Sequence, residues 1–293
     1  MSQLSRRHFL RTGAAAGALA GVGTLSLKAE RATAASWVTL GKSNVKATRL
    51  AFGTGTNGGR VQRSLGQDEF NRLVRHAYEH GIRFFETSES YDGMHEMLGI
   101  ALKGIPRDSY TLMSKVTTDE ADPLEKIDEL RKTAQTDYFD IMLLHVQQKA
   151  TWPTDSKRWQ DGISEMEQRQ AIRSHGASVH GLPALRQVPS NEWLQVAMIR
   201  MNHKGAHMDA DDPHTHGPGD VTEVVQHVQQ ARKAGLGVIS MKLIGEGSFT
   251  DHADRQQAMR FAFHHAGVQC VTVGYKNTTE IDEAIDNVNL ALA

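Results

Sequence analysis

The sequence predicts an α/β protein with a closed (β/α)8 barrel, the TIM-barrel architecture, and three observations carry that expectation. Short β-branched or apolar runs alternate with longer segments of helical spacing, as a parallel sheet wrapped by helices requires. The alternation repeats about eight times, the count of a closed barrel, within a 293-residue chain long enough for one large core. An open doubly wound sheet would have fewer units and a Gly-rich phosphate loop opening directly into a helix. The stretch AFGTGTNGG offers such a loop, but the pattern places no helix directly after it and no carboxylate at the fingerprint distance. It reads as structural or as lining a cofactor.

In order, strands are expected at 49–52, 82–87, 110–116, 139–146, 172–178, 194–201, 237–242 and 268–273. Helices are expected between and after them at 69–80, 95–103, 123–136, 159–169, 182–188, 221–233, 253–265 and 279–292. Several boundaries have a local cause. Gly81, Gly235 and Gly267 each follow a helical segment, and Asp122-Pro123 opens one with proline at its first position. The single cysteine, Cys270, lies inside the apolar run VQCVTV, so it reads as a buried strand residue, and no intramolecular disulfide can form.

The first 34 residues are of another kind: Arg6-Arg7, then Phe9-Leu10, a mild Ala/Gly/Leu stretch over 12–27, and Ala32-Thr33-Ala34. They resemble a twin-arginine export signal ending in an A-x-A processing site. That implies cleavage after residue 34, a barrel domain at 35–293, the twin-arginine export machinery as a partner, and a periplasmic or secreted product. The apolar stretch is too short and too Gly-rich to hold a membrane span, and no longer one follows. A formal net charge of −1, without a local basic patch, gives no reason to expect nucleic acid as a partner.

In a β/α barrel the reactive groups sit where strands stop. Three successive expected strands end in ionisable groups: RFFETSESY offers Glu86 and Tyr91, TLMSKV offers Lys115, and DIMLLHV offers His145. Singly, each has an ordinary explanation as a solvated charge, a core histidine or a packing ring. Together they make a tunable acid. A phenol with its usual pKa near 10 donates poorly at neutral pH unless a nearby ammonium stabilises the phenolate. Lys115 can supply that charge, Glu86 can hold the lysine, and His145 can orient a substrate oxygen.

This arrangement resembles the aldo-keto reductase superfamily over nearly the whole chain from about Trp37 onward. The family's strand ending FFDTA plus Tyr, strand ending in Lys and strand ending in His appear here as FFETS plus Tyr91, SKV and LLHV. GVISMKLIGEG and VTVGYKNTTEIDEAIDN are similar to the family's seventh- and eighth-strand segments. The resemblance implies reduction of a small carbonyl substrate, an aldehyde, ketone or sugar, by hydride from a nicotinamide cofactor, with Tyr91 as general acid. It further implies Ser178 and Asn202 near the nicotinamide, and Lys242, Leu243 and Gly245 at the pyrophosphate. Gly274, Lys276, Asn277 and Glu283 are implied at the adenosine end, and Lys276 puts NADP(H) ahead of NAD(H). The chain departs from the pattern at Glu86 (usually Asp), Val179 (often Asn), Met198 (often Gln) and Ala284 (often Asn), and Glu280 stands where some members place a cation.

One segment remains, RMNHKGAHMDADDPHTHGPGD, with His203, His207, Asp209, Asp211, Asp212, His214 and His216. Imidazoles and carboxylates at short spacing can chelate a divalent metal. The spacing matches no strict zinc signature, so the segment reads as a polar loop over the barrel mouth, with no metal ligand assigned, and Arg200 and Asn202 beneath it as candidates for touching substrate. Besides a carbonyl reductase, two readings stay open: an exported barrel repurposed for metal-assisted chemistry at this loop, and a non-catalytic ligand-binding protein.

Overall fold

The computed structural model describes residues 31–208, 210–212 and 218–293. Arg6 and Arg7 of the expected export signal, and Asp209, His214 and His216 of the histidine-rich segment, lie outside the described residues. The barrel belongs to the compact unit Arg31–Ala293.

That unit opens with a hairpin, β1 (Trp37–Thr39) antiparallel to β2 (Lys46–Thr48). Eight parallel strands follow: β3 (Leu50–Gly53), β4 (Phe84–Glu86), β5 (Thr111–Val116), β6 (Ile141–Gln147), β7 (His175–Val179), β8 (Val196–Arg200), β9 (Gly237–Met241) and β10 (Cys270–Gly274). They pair in chain order, and β10 closes the barrel on β3 with Val271 opposite Leu50 and Gly274 opposite Gly53.

Side chains alternate along each strand, and the alternation sorts them into two cores. Phe84, Met113, Ile141 and Leu143 fill the barrel interior, while their neighbours Phe85, Leu112, Met142 and Leu144 pack outward beneath the helices. The hairpin was not expected from the sequence, because two three-residue strands are too short to show periodicity. It plugs one end of the barrel with Leu40, Val45 and Ala47. Gly237 makes this fit: a Cβ there would lie 2.7 Å from Leu40 Cβ and 2.8 Å from its carbonyl carbon.

Around the strands run α1 (Arg60–Arg63), α2 (Gln67–Glu79), α3 (Met94–Leu102), α4 (Pro123–Thr133), α5 (Trp152–Asp155), α6 (Lys157–Gln168), α7 (Leu182–Leu185), α8 (Val221–Lys233), α9 (His252–Arg260) and α10 (Thr278–Ala291). The boundary chemistry matches the sequence reading. The Asp122 carboxylate caps α4 by accepting from the amides of Leu124 and Glu125, and Gly81, Gly235 and Gly267 take positive φ after their helices.

Besides the hairpin, the helices differ from expectation in places, the short α5 among them. A one-turn helix, α1, does follow the Gly-rich stretch directly, starting after Gly59. The helix expected at 182–188 is one turn, α7, because Pro189 disfavours helical backbone at the residue before it. The helix expected at 253–265 ends as α9 and continues as a π-helical turn, Phe261–Ala266.

Ahead of the hairpin, the chain is already tied in. Ala34 is 1% exposed, its amide donates to Asn289 Oδ1 at 2.8 Å, and its carbonyl accepts from the amide of Leu50 at 3.1 Å.

Candidate active site

The strand ends converge as the sequence predicts. Glu86 closes β4, Lys115 lies in β5 and His145 in β6, and the turn after β4 brings Tyr91 back over them, its amide donating to the Ser88 carbonyl at 3.1 Å. Lys115 is fully buried and donates to Glu86 Oε1 and, at 2.9 Å, to the Thr87 carbonyl. Its ammonium stands 4.8 Å from the centre of the Tyr91 ring. The Tyr91 and His145 rings meet edge to face, 5.7 Å between centres. Ser88 Oγ and Ser90 Oγ hold His145 Nδ1 at 2.9 and 3.1 Å, which fixes the ring plane.

Two glycines of the Gly-rich stretch make room for this cluster. A Cβ on Gly53 would come within 3.1 Å of Glu86 Oε2, so the missing side chain accommodates the longer carboxylate. A Cβ on Gly55 would fall 2.4–2.6 Å from the Tyr91 ring and hydroxyl, so the phenol lies directly against that backbone. The stretch therefore seats the Tyr91 ring and the Glu86 carboxylate.

The electrostatics follow from burial. Desolvation, reinforced by the Lys242 charge, holds the Lys115 ammonium well below the ordinary lysine range. His145 is pushed down to about 2, first by burial and then by Lys115, Lys242 and Arg200, so it is neutral throughout the physiological range. Burial raises the Tyr91 phenol, the Glu246 carboxylate adds to that, and Arg200 opposes it. Tyr91 therefore carries its proton throughout the physiological range.

A second ring of polar groups surrounds the first. His180, just past β7, joins Ser178 Oγ through Nε2 at 3.1 Å and Arg200 through Nδ1, and its ring meets His145 at 5.7 Å between centres. Lys242 pairs with Glu246, both with positive φ. The sequence reading missed His180 and Glu246. His180 carried a usable signal, an ionisable residue two positions past Ser178 at a strand end; Glu246 reaches the site only through a turn that periodicity does not mark.

A cleft of about 550 Å³ extends from Glu86 and Tyr91, past Lys242 and Leu243, to Gly274, Lys276 and Glu283. Thr272 Oγ1 and Asn287 Oδ1, both on its lining, are buried with no hydrogen-bond partner among the described residues, and at the far end Arg255 is paired with Glu283 and Lys276 with Glu280. Such a site fits an elongated molecule with polar groups along its length.

The profile of the Aldo/keto reductase family matches residues 49–259, most of the barrel. The chain belongs to this family. It is an oxidoreductase, and residues 3–23 match the signal sequence of the twin-arginine translocation pathway. Among curated relatives, L-galactose dehydrogenase of Arabidopsis thaliana is 33% identical over 117 residues, a segment that covers 36% of each chain. The fold is also that of solved family structures. A putative aldo-keto reductase from Pseudomonas aeruginosa superimposes with a TM-score of 0.72 at 17% identity, over 90% of this chain and 99% of that one. The holo form of a Bacillus halodurans aldo-keto reductase gives 0.66 at 18% identity, over 88% and 95%. A Klebsiella pneumoniae aldo-keto reductase in complex with NADPH gives 0.64 at 17% identity, over 88% and 90%.

Of the cofactor positions carried over from the aldo-keto reductase pattern, Lys242, Leu243, Gly274, Lys276 and Glu283 line the cleft. Four others do not. Asn202 is buried and organises its own loop, donating to the Ala206 and Lys242 carbonyls and accepting from the amides of Lys204 and Ala206. Asn277 caps α10 through the Glu280 amide, Gly245 forms the turn after β9, and Ser178 faces His180. Glu283 is paired with Arg255, a cation absent from the sequence reading. In the histidine-rich segment the described groups are spent separately: His203 and Lys204 on Asp254, Asp211 on Arg186, and His207 beside Glu246 at 3.9 Å. No helix among the described residues is long and apolar enough to cross a membrane.

Proposed function

We propose that this chain is a carbonyl reductase, exported to the periplasm or beyond, that uses NADP(H) in preference to NAD(H) to reduce an aldehyde, ketone or sugar. The observation that carries this reading is the buried Glu86–Lys115 pair beneath the Tyr91 ring, with His145 at the ring's edge.

A reduced nicotinamide, when bound, supplies the hydride. The chain's own residues supply everything else. The residues that would hold the dinucleotide are Lys242 and Leu243 in the middle of the cleft and Lys276, Arg255 and Glu283 at its far end, with Thr272 and Asn287 offering their unpaired oxygens. Arg255 and Lys276, paired in the free protein with Glu283 and Glu280, would turn to the additional phosphate of NADP(H) when it is bound.

At the other end Tyr91 donates its phenolic proton to the carbonyl oxygen as negative charge builds there. Lys115 lowers the energy of the phenolate left behind, and Glu86 keeps the ammonium aimed beneath the ring. His145, neutral and held by two serine hydroxyls, presents its remaining ring nitrogen to the same oxygen and fixes the carbonyl's orientation. Burial of Glu86, Lys115 and His145, with Tyr91 partly buried over them, strengthens each of these interactions.

The experiment is a panel of aldehydes, ketones and aldoses offered to the purified protein with NADPH or NADH, following loss of the reduced nicotinamide's near-ultraviolet absorbance. Turnover with at least one carbonyl, faster with NADPH, is expected. No turnover, together with no thermal shift by either dinucleotide, would defeat the reading.

A further inference from the structure

Away from the barrel mouth, on the outer ring of helices, His76 near the end of α2 and His80 just beyond it stand one helical turn apart on the same face. Asp282 in the first half of α10 reaches across to them, its Oδ1 2.6 Å from His76 Nε2. The two imidazoles lie 4.0 Å apart between centres and 30° from parallel. One ligand atom from each of the three residues lies within 4.8 Å of the others.

We propose that His76, His80 and Asp282 form a binding site for a divalent transition-metal ion of the imidazole-seeking kind, with zinc as the reference ion. Three features argue for a site over a chance cluster. First, His80 Nδ1 is 2.8 Å from the His76 carbonyl. A carbonyl can only accept, so Nδ1 carries the proton and Nε2 keeps its lone pair free for an ion. A backbone carbonyl that sets the tautomer in this way is the usual outer partner of a metal-bound histidine. Second, two nitrogens and one carboxylate oxygen match the donor preference of zinc and its neighbours, and leave a fourth position to water. Third, His80 and Asp282 are exposed while His76 is half-buried, so an ion can enter without the helices opening.

The site joins the first long helix of the barrel to the last. These two helices flank the seam where β10 closes on β3. An ion here would cross-link the two ends of the barrel, and it would do so one residue from Glu283, which lines the cofactor cleft. Binding to the folded state alone raises stability by mass action.

The test is calorimetric titration of the purified full-length protein with zinc chloride, beside melting curves with and without zinc. One site, with a zinc-dependent rise in melting temperature, is expected. His76→Gln and His80→Gln should each weaken it by roughly tenfold or more, within the range set by loss of a metal-site partner, and Asp282→Asn should weaken it as well. A variant with glutamine at His203, His207, His214 and His216 should bind as the wild type does at this site. Melting in the absence of metal checks that each variant is folded. No zinc binding by the wild type, unchanged affinity in the double variant His76→Gln/His80→Gln, or loss of all binding in the four-histidine variant would each overturn the proposal.

Discussion

Lys115 lies fully buried with Glu86 as its only carboxylate partner among the described residues, and the two are in direct hydrogen-bonded contact. Glu86 already reaches the lysine without displacing it, since Gly53 leaves space behind the carboxylate. Shortening it should therefore harm the site. Glu86→Asp is expected to lower both kcat and melting temperature, by pulling the carboxylate off the ammonium. Lys115→Met should cost more, about 3–5 kcal/mol of stability, because it strands a buried charge. Chemical denaturation and steady-state kinetics on the two variants check this, and a rate that rises in Glu86→Asp would contradict it.

For Tyr91→Phe the ring and its packing against Gly55 remain while the proton is lost. Carbonyl reduction should fall by roughly 10²–10⁴-fold. The thermal shift produced by NADPH should stay near the wild-type value. A variant that keeps most of its rate would remove Tyr91 from the role of acid.

Gly55→Ala separates position from chemistry at the same residue. The added Cβ would lie 2.4 Å from Tyr91 Cζ, so the ring must move. Expected is a fall in kcat of at least roughly tenfold, since a misplacement of about 1 Å can cost 10²-fold. Wild-type kcat in Gly55→Ala would mean that the ring's seat does not matter.

Acid should weaken the fold in a defined window. The ordinary histidine pKa is 6.5, and burial lowers His95 to about 4 and His145 to about 2. Between those values and 6.5 the unfolded chain binds protons that the folded chain refuses, so stability is fully present above 6.5 and declines as pH falls. Each such group contributes up to about 1.4 kcal/mol per pH unit within its window. Urea midpoints measured between pH 7.5 and 5 should drop accordingly, and His95→Gln should flatten the slope. A flat profile over that range would be inconsistent with neutral, buried His95 and His145.

The barrel was legible because each of its strands obeys a local rule, a short apolar run ended by turn chemistry, and because Asp122, Gly81, Gly235 and Gly267 mark helix ends by mechanisms that act over a few residues. Glu86, Lys115 and His145 could be picked out for the same reason, as residues at or near strand ends, and Tyr91 as the residue in the turn beyond one of them. What escaped depends on tertiary distance. Gly55 makes sense only against a ring 36 residues later, Arg255 only against Glu283, and Asn202 looks like a ligand contact until three of its side-chain hydrogen bonds close on its own loop and the fourth on the Lys242 carbonyl. His76 and His80 carry the simplest helical spacing for two ligands, but the third donor is contributed by the far end of the chain.

The position of Ala34 bears on how the protein is made. Proteolytic cuts fall where the backbone is exposed and free of hydrogen bonds, and Ala34 is where the A-x-A motif would be cut. In the folded barrel that residue is shut between Asn289 of α10 and Leu50 of β3. Folding and trimming at this bond therefore compete. A protein that crosses the membrane already folded should retain Ala34, with its new amino terminus upstream of Thr33, and intact-mass measurement of the exported form reads this directly. A terminus at Ala35 would mean that the peptidase arrives before the barrel has sealed.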